Sequence, residues 1–539
     1  MEMKRTILAV VLSMAVLVFF QNYMTPQKPV TGTPGQAVQG ETALQGPASP
    51  EAPAAASPQA SALAPTPTPT PPQQLRRAVL ENEQVRIETS TRAGAVVSAK
   101  LKQYKDRIGP DGQPVELLSA PSGLDIVGAT RLVDAALAWD AIYTEVEKGH
   151  NRVVYAWDAP NGLRIVKTYA LPSEGYALDL TVEIRNPGPG AARDRLGLVM
   201  VEDFSGAQKD RLSRYNFAGP AYYAGEKFEE VKLKKLPEGV HVPGPVSWAA
   251  LVKGYFLMAA LPDEPAGGLR LGAYRGMEKV AEVELASPVF ELGAGRSYTV
   301  RYRIYTGPKQ QEALAPLGAH LTDVIHYGFF HPIAMPLLWF LKAIYRITGN
   351  YGIAIIVLTI LVKVLFWPLS ARSFRSMQKM KEIQPKLQRL KEKYGNDKER
   401  LNREVMQLYK THKVNPMGGC LPMIVQIPVF FALYRILLDS IELRHAPFML
   451  WIQDLSAKDP YYVTPLLMGV TMFLQQKMTP ATGTNESQMK MMLYGMPVVF
   501  TFLFLNFPSG LVIYWLVNNI LSVAQQALML RKSHSPETA

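Results

Sequence analysis

Cysteine is almost absent from this sequence of 539 residues, which contains one, Cys420. A single cysteine excludes an internal disulfide bond and any zinc site built from several cysteines. Charged residues are also scarce, because they make up 19% of the chain while hydrophobic residues make up 48%. This shortage of charge is typical of a membrane protein. The net charge of +12 fits nucleic acid, anionic lipid or cytoplasmic membrane loops, and the positions of the basic residues along the chain decide among them.

Motifs of catalysis are missing too. The eight histidines include no H-E-x-x-H, no G-x-S-x-G is present, and no P-loop opens a helix. Cys420 has an apolar setting without a basic neighbour, which favours inert packing over reactivity. The sequence therefore predicts a protein that is not an enzyme, with no catalytic residue, no cofactor and no metal site.

The N-terminus has the pattern of a secretory signal. Lys4 and Arg5 precede an apolar stretch from Thr6 to Phe20, and no small-x-small cleavage site follows it. An uncleaved signal anchor over residues 1–24 is favoured over a removed peptide. Residues 25–75, rich in Pro, Ala and Thr, have too few large apolar side chains to fold and are predicted to be a disordered linker.

Short runs with period-two alternation recur over residues 76–318, for example from Tyr176 to Arg185 and from Tyr298 to Tyr305. Alternation bounded by turn residues predicts antiparallel strands, here in one large β-sandwich. Trp139 and Trp157 have two interpretations, as core residues or as exposed aromatics on a carbohydrate-binding face. Core packing is the favoured one.

The remaining chain predicts a polytopic α-helical membrane protein. Residues 319–349 have apolar residues at helical spacing broken by two prolines, which fits an amphipathic helix lying in the outer interface. Residues 350–530 hold five apolar segments, and together with the anchor they make six transmembrane helices. The five segments are approximately Tyr351 to Leu369, Met417 to Leu438, Tyr461 to Gln476, Met491 to Phe507 and Leu511 to Leu530.

Basic residues set the orientation of these helices. Lys4 and Arg5, the stretch 372–413, Lys477 with Lys490, and Arg531 with Lys532 all fall on one side. The positive-inside rule makes that side cytoplasmic. Both termini, including the tail 531–539, are then cytoplasmic, and the β-domain is periplasmic.

Lys363 lies inside the first of these five segments. A lysine at mid-helix costs roughly 2.5 to 3.5 kcal/mol on insertion scales, which the surrounding Ile, Leu, Val and Phe outweigh. Two interpretations stay open: the side chain extends to the headgroups, or it faces a wet cavity within the bundle. Thr359 is four residues away and shares its helix face.

The last segment carries further polar residues. Trp515, Asn519 and Ser522 fall on one face at helical spacing, Asn518, Gln525 and Gln526 lie alongside, and Gln426 adds an amide in another segment. Hydrogen bonds within a dry bundle are one explanation. A water-filled groove is the other, and it also accounts for Lys363.

The stretch 372–413 is predicted to be a basic antiparallel helical hairpin in the cytoplasm. It carries 13 Lys and Arg against 5 Asp and Glu, with apolar positions at helical spacing on both sides of Gly395. Attraction to anionic lipid and docking of a nascent chain, ribosomal RNA or a targeting factor are both open. Nothing in the pattern reads DNA bases. The candidate docking residues are Arg372, Arg375, Lys379, Lys381, Lys386 and Arg389.

Several long motifs in fixed order resemble the YidC family of membrane protein insertases. They are Asn415 to Pro422 (NPMGGCLP), Glu442 to Phe448 (ELRHAPF), Trp451 to Ser456 (WIQDLS), Asp459 to Tyr462 (DPYY) and Phe507 to Leu511 (FPSGL). The resemblance covers Tyr351 to Leu530 strongly. The β-domain and anchor look like those of Gram-negative members, and the β-domain is similar to a sugar-mutarotase-like supersandwich without implying that activity.

The resemblance implies a hydrophilic groove within five core helices, with one basic residue at its centre. That position is Lys363, where the family usually has Arg, and Trp515 stands where Tyr is often found. The groove is expected to accept hydrophobic segments of nascent proteins and release them into the inner membrane, alone or beside the Sec translocon. Expected partners are nascent membrane proteins, Sec components, the ribosome and anionic lipids. A solute transporter and a glycan enzyme are the alternatives, and no inverted repeat favours the transporter.

Overall fold

The computed structural model describes residues 75–118, 124–137, 139–206, 216–395, 397–412, 414, 421–478 and 490–534. Some of the predicted elements lie outside these residues. They are the signal anchor 1–24, the linker as far as residue 74, residues 415–420 with Cys420, and residues 535–539 of the tail.

The first half of the described chain is a β-domain. Seventeen of its nineteen strands join in one hydrogen-bonded sheet, while β10 and β18 form a separate pair. The strands are β1 (Arg77–Glu81), β2 (Val85–Ser90), β3 (Ala95–Lys105), β4 (Pro114–Glu116), β5 (Ile126–Leu132), β6 (Thr144–Lys148), β7 (Arg152–Asp158), β8 (Arg164–Ala170), β9 (Ala177–Arg185), β10 (Ala192–Asp194), β11 (Leu196–Asp203), β12 (Ala218–Ala224), β13 (Lys227–Glu230), β14 (Val240–Lys253), β15 (Phe256–Pro262), β16 (Ala266–Ala273), β17 (Val280–Ala286), β18 (Phe290–Leu292) and β19 (Ser297–Pro308).

Alternating burial explains why these segments form strands. Along β9, Leu178, Leu180, Val182 and Ile184 are buried while the residues between them are not. The strand pairs antiparallel with β8 and with β19, so its apolar face joins one large core shared by most of the sheet. The predicted antiparallel β-sandwich is confirmed.

Both tryptophans with two interpretations pack within the β-domain. Trp139 is buried, with its ring 5.9 Å from that of Tyr274, and Trp157 is half-buried, 5.7 Å from Tyr143. These contacts support the core interpretation. Neither tryptophan is therefore an exposed aromatic residue that could form a carbohydrate-binding face.

A lysine on β8 is fully buried in the same core. Nζ of Lys167 donates to the carbonyl oxygens of Ala93, Gly94 and Gly128 at 2.8, 2.9 and 2.7 Å. The ammonium also lies 5.0 Å from the ring centroid of Tyr143. Three carbonyl acceptors match the three donors of an ammonium group, which is how the sheet accommodates this side chain.

Glu202 on β11 is a second buried ionisable group. It contacts Nζ of Lys253, which also donates to the carbonyl oxygen of Leu117 at 2.7 Å. Burial raises the pKa of Glu202 from 4.5 to about 8, and the charge of Lys253 opposes this rise. Because the pKa is higher in the folded state, the folded state binds more protons between these values. Stability is therefore lost as the pH rises from 4.5 through 8.

We expect the substitution Glu202→Gln to remove much of this pH dependence. The variant should match the wild type near pH 4.5 and unfold with a free energy about 1 to 3 kcal/mol higher at pH 9, because the amide carries no charge to bury. Calorimetric unfolding of the full chain in detergent between these pH values measures the difference. The exposed Glu174 is the control, since Glu174→Gln should keep the wild-type pH profile. A Glu202→Gln profile parallel to that of the wild type would contradict the expectation.

The second half of the described chain is helical. The helices are α1 (Gln311–Leu314), α2 (His331–Thr348), α3 (Tyr351–Leu365), α4 (Trp367–Tyr394), α5 (Lys398–Thr411), α6 (Leu421–Asp439), α7 (Val463–Met478), α8 (Met496–Phe504) and α9 (Ser509–His534). Short 3-10 turns at Leu321–Val324, Gly328–Phe330 and Ile441–Leu443 connect them, and a π-helical turn at Met491–Gly495 leads into α8.

The apolar segment that contains Lys363 is shorter than predicted. Helix α3 ends at Leu365 rather than near Leu369, and the chain bends by 62° into α4. Pro368 explains the break, because proline fits the first turn of a helix but has no N–H for a continuing one. Asn350 caps the other end of α3, where its Oδ1 accepts from the N–H of Gly352 at 2.8 Å.

Length and composition alone identify few membrane spans among the described residues. Residues Ser509–Arg531 of α9 are long and apolar enough to cross a bilayer, and α3 with α4 adds a second span if the bent pair counts as one. Helix α7 has 16 residues, or roughly 24 Å at about 1.5 Å each, against a hydrocarbon core of roughly 30 Å. The count of six spans stays a prediction.

Helix α2 occupies the region predicted to lie in the interface. Ala334, Leu338 and Leu341 are buried against the other helices, whereas Trp339 and Phe340 are exposed. Gly349, with a φ of 64°, closes the helix in the left-handed conformation that glycine favours. One face of α2 is therefore packed, and its apolar opposite face is uncovered within the described residues.

Helices α4 and α5 are a helical pair over the stretch predicted to be a hairpin, with α4 beginning at Trp367, before the predicted start at Arg372; the cytoplasmic position of the pair stays a prediction. Met380 and Ile383 of α4 pack with Val414 and Tyr409, which joins the two arms. All six candidate docking residues, Arg372, Arg375, Lys379, Lys381, Lys386 and Arg389, are exposed on α4. The hairpin thus presents cations to its surroundings along the whole length of its first arm.

Candidate functional site

Lys363 lies near the end of α3 and turns toward the last helix. Its Nζ donates to Oγ of Ser522 on α9 at 2.7 Å, and that hydroxyl donates to the carbonyl oxygen of Asn518 at 2.7 Å. The side chain of Lys363 is half-buried, and its described hydrogen bond is to another helix of the bundle. This geometry supports the inward-facing interpretation of the lysine.

Asn518 extends the polar contact to a third helix. Nε2 of Gln426 on α6 donates to Oδ1 of Asn518 at 2.6 Å and to the hydroxyl of Tyr514 at 3.2 Å. Hydrogen bonds therefore link α3, α9 and α6 through Asn518, whose backbone carbonyl accepts from Ser522 and whose side-chain oxygen accepts from Gln426. Four of the candidate groove residues are brought together.

Asn519 and Trp515 of α9 have other neighbours. Nδ2 of Asn519 donates at 3.4 Å to the carbonyl oxygen of Met468 and to Oγ1 of Thr471, both on α7. The indole of Trp515 packs among aromatic rings, with centroid distances of 4.9 Å to Phe430 and 5.3 Å to Phe504. The face predicted to hold Trp515, Asn519 and Ser522 thus meets three different partners.

Thr359, one turn before Lys363, is buried. Its Oγ1 donates to the carbonyl oxygen of Ile355 at 2.6 Å, so the hydroxyl is satisfied within its own helix. The side chain is packed one turn before Lys363, with its hydroxyl bonded to the backbone of α3.

Two further polar side chains of α9 lie near these residues: Tyr514, which the sequence did not single out, and Gln525, which the sequence placed alongside Ser522. Tyr514 supplies the second acceptor for Gln426. Gln525, one turn after Ser522, is buried, and its Nε2 has no hydrogen-bond partner among the described residues. The spacing of Gln525 from Ser522 was the available signal, because the two share a helix face.

The chemistry of the site is that of one lysine amine beside neutral hydrogen-bonding groups. Over the ranges that the structure describes, no group of three or more His, Cys, Asp or Glu stands close enough to hold a metal ion. Lys363 is the basic group of the set, while two amides and two hydroxyls supply donors and acceptors around it. Such a set can attract an acidic group and hydrate a polar chain, and it contains no nucleophile paired with a base.

Two family models match the chain. Residues 343–536 match a family described as the 60Kd inner membrane protein, and residues 77–340 match the YidC periplasmic domain. Together they cover the helical region and the β-domain. These descriptions agree with an inner-membrane protein that carries a large periplasmic domain.

Curated relatives are similar over most of the chain. A membrane protein insertase YidC of Geobacter sulfurreducens is 43% identical over 456 residues, which cover 83% of this chain and 85% of the relative. One of Geotalea daltonii is 42% identical over 541 residues, covering 97% and 98%. Both names describe an insertase rather than an enzyme, in agreement with the prediction.

Among solved structures, an active YidC insertase with its first transmembrane domain resolved is similar over 83% of this chain and 91% of that one, at 17% identity and a TM-score of 0.37. The relatives and the two family models together settle the assignment. The chain belongs to the YidC family of membrane protein insertases.

Proposed function

We propose that this insertase accepts hydrophobic segments of nascent proteins in a hydrophilic, positively charged groove centred on Lys363, and releases them into the bilayer. The observation that carries the proposal is the polar path from Lys363 through Ser522 and Asn518 to Gln426. It crosses three helices whose other side chains are mostly apolar. Intramembrane polar groups that face a bundle interior mark a functional pathway by default.

A hydrated groove lowers the barrier to insertion in two ways. Water around the amides keeps the polar tail of a client solvated while its apolar segment moves into lipid. The ammonium of Lys363 attracts acidic residues in that tail, an interaction that strengthens where the local dielectric constant is low. Release is then downhill, because burying about 20 apolar residues in hydrocarbon is favourable.

The short helices assist the same process. The apolar length of α7 is roughly 24 Å, and α8 is shorter still, so the bilayer beside them has to thin or the helices have to be buried among neighbours. Exposed apolar side chains on both helices favour contact with lipid; they include Leu466, Val470, Val498 and Phe502. A client that leaves beside α7 and α8 therefore has a shorter apolar path to cross.

The proposed topology has six transmembrane helices with both termini in the cytoplasm. The exposed cations of α4 then lie on the cytoplasmic side, as the positive-inside rule requires. The hairpin of α4 and α5 receives clients there, and anionic lipids hold it near the membrane surface. Nascent membrane proteins are the substrates, and the ribosome and Sec translocon components are the proposed partners, with use alone or beside the translocon.

Site-specific photo-crosslinking to a stalled nascent chain tests the proposal. A photoreactive side chain in place of Asn518 should crosslink to the client, because Asn518 lies on the proposed groove surface. The same group in place of Val498, which is exposed on α8, is the matched control and should crosslink mainly to lipid before release. Client adducts that are no stronger at position 518 than at position 498 would refute the groove.

A further inference from the structure

The loop between the 3-10 turn at Ile441–Leu443 and α7 is rigidly built. We call residues 444–462 the outer loop. The N–H of Phe448 donates to the carbonyl oxygen of Ile452 at 3.0 Å, and that of Leu455 donates to Ala446 at 3.0 Å. Ile452 and Leu455 are buried beneath it. The loop therefore has its own hydrogen-bonded frame and small apolar core.

The tip of this frame holds apolar side chains outward. Leu450 is 74% exposed and Met449 is 50% exposed. Leu450 also has a φ of 55°, in the left-handed region that a leucine adopts only at a cost in energy. The loop thus holds two large apolar side chains outward on a strained backbone. Such an arrangement is unusual for a surface that faces only water.

The tip adjoins the end of α2 and the start of α3. Nδ2 of Asn350 donates to the carbonyl oxygen of Phe448 at 2.7 Å, and the ring of Phe448 lies against Gly352, where a Cβ would collide with it. Ile347, in the last turn of α2, is 87% exposed. We call Ile347, Met449 and Leu450 the apolar tip.

We propose that the apolar tip inserts into the headgroup and acyl boundary of the outer leaflet. The outer loop leads into α7, whose first turns expose Leu466 and Leu467. Tyr461, near the end of the outer loop, is exposed with its ring 6.4 Å from that of Trp451, and aromatic side chains are enriched at membrane interfaces.

Exposed basic residues stand near the tip residues in the chain, as suits an anionic lipid surface. Arg346 precedes Ile347 and Lys458 follows in the outer loop, and both are exposed. An apolar tip edged by cations matches a surface with anionic headgroups over hydrocarbon. The lipid surface is therefore the occupant that these residues fit.

Insertion of the tip fixes the depth of the outer helix ends. The outer loop joins α9, because the N–H of Ser509 donates to the carbonyl oxygen of Ala457 at 2.7 Å. It joins α3 through Asn350. The tip thereby acts as a depth anchor for the two helices that carry Lys363 and Ser522. This depth anchor rests on the proposed topology, in which the outer loop faces the outer leaflet, and it does not depend on whether the groove is hydrated.

Fluorescence labelling of the full-length chain tests this inference. In a Cys420→Ser background the chain has no other cysteine, so Leu450→Cys or Met449→Cys takes a single NBD label. The protein is placed in vesicles of phosphatidylethanolamine and phosphatidylglycerol. The label at either position should be quenched by nitroxide lipids, with an iodide quenching constant at least about threefold below that of a label at Glu264→Cys, because the boundary region excludes iodide. Glu264 is exposed in the β-domain.

Two outcomes would overturn the proposal. Equal iodide quenching at positions 450, 449 and 264 would place the tip in water. Protection from iodide without quenching by nitroxide lipids would assign the tip to another protein or a second copy instead of lipid. Testing both tip positions guards against a local misfolding of one variant, and crosslinking at position 518 remains a separate measure of the groove.

Discussion

Lys363→Glu is expected to abolish insertion of a client whose tail is acidic, while Lys363→Arg preserves it. The glutamate variant would place a like charge where the client's carboxylate has to pass. At 4 Å and an effective dielectric constant of about 20, reversing the sign changes an attraction of about 4 kcal/mol into a repulsion of similar size. Insertion by the purified, reconstituted protein measures the effect, as the fraction of client protected in the bilayer.

A client with reversed charge separates electrostatics from misfolding. The glutamate variant should insert a client whose acidic tail residues are replaced by lysine better than it inserts the original client. Ser522→Ala serves as a milder variant, because it removes the hydrogen bond of Lys363 and keeps the charge. Normal insertion of the acidic client by the Lys363→Glu protein would refute the role of the charge.

Asp459→Ala is expected to lower the free energy of unfolding by about 3 kcal/mol, because it leaves buried donors without their acceptor. Asp459 is 1% exposed and accepts four hydrogen bonds. Oδ1 accepts from Nε1 of Trp451 and the N–H of Tyr461, both at 3.0 Å. Oδ2 accepts from the N–H and Oγ1 of Thr464, both at 2.8 Å, at the start of α7.

The variant Asp459→Asn separates the contributions of the two carboxylate oxygens to the free energy of unfolding. Asp459→Asn keeps one carbonyl oxygen for Trp451 and Tyr461 but presents an NH2 group to Thr464, so we expect about half the loss. Thermal unfolding in detergent measures both variants. Lys458→Ala, at the exposed neighbouring position, is the control and should cost under about 1 kcal/mol. Equal stability of the alanine variant and the wild type would show that the four contacts carry no net free energy.

The β-domain could be predicted because its strands obey a local rule. The run from Tyr176 to Arg185 alternates with period two, and β9 occupies Ala177–Arg185 with its apolar residues inward. Lys167 lies on the inward face of the neighbouring strand β8. Lysine is rarely buried, so the sequence alone would not predict this position. Its three carbonyl acceptors come from Ala93, Gly94 and Gly128, which are distant in sequence, so no local pattern could indicate them.

The sequence identified which residues form the candidate site, but it predicted only some of their contacts. Lys363, Gln426, Asn518 and Ser522 were recognisable as polar residues in apolar segments, and the structure joins them. Trp515, Asn519 and Ser522 share one side of α9, yet seven residues rise roughly 10 Å along a helix. They therefore meet different neighbours at different depths. Such contacts depend on how α3, α6 and α7 cross α9, which one helix sequence does not contain.

The orientation of Lys363 shows what the structure adds. The sequence left open whether the side chain extends to the headgroups or faces the bundle. The 2.7 Å hydrogen bond to Ser522 supports the second interpretation. A polypeptide can enter along these polar residues only if water surrounds them. The proposed mechanism depends on this hydration.

Access of water to position 522 tests that claim most directly. In the Cys420→Ser background, Ser522→Cys is treated in membrane vesicles with a small, anionic, membrane-impermeant thiosulfonate applied from the cytoplasmic side. Phe502→Cys, exposed on α8 and proposed to face lipid, is the control, and Arg375→Cys on the hairpin sets the rate in water. The account predicts a rate at position 522 within about tenfold of that at position 375 and far above that at position 502, because a thiolate forms and reacts only where water reaches it. A cysteine at position 522 as unreactive as the one at position 502 would contradict it.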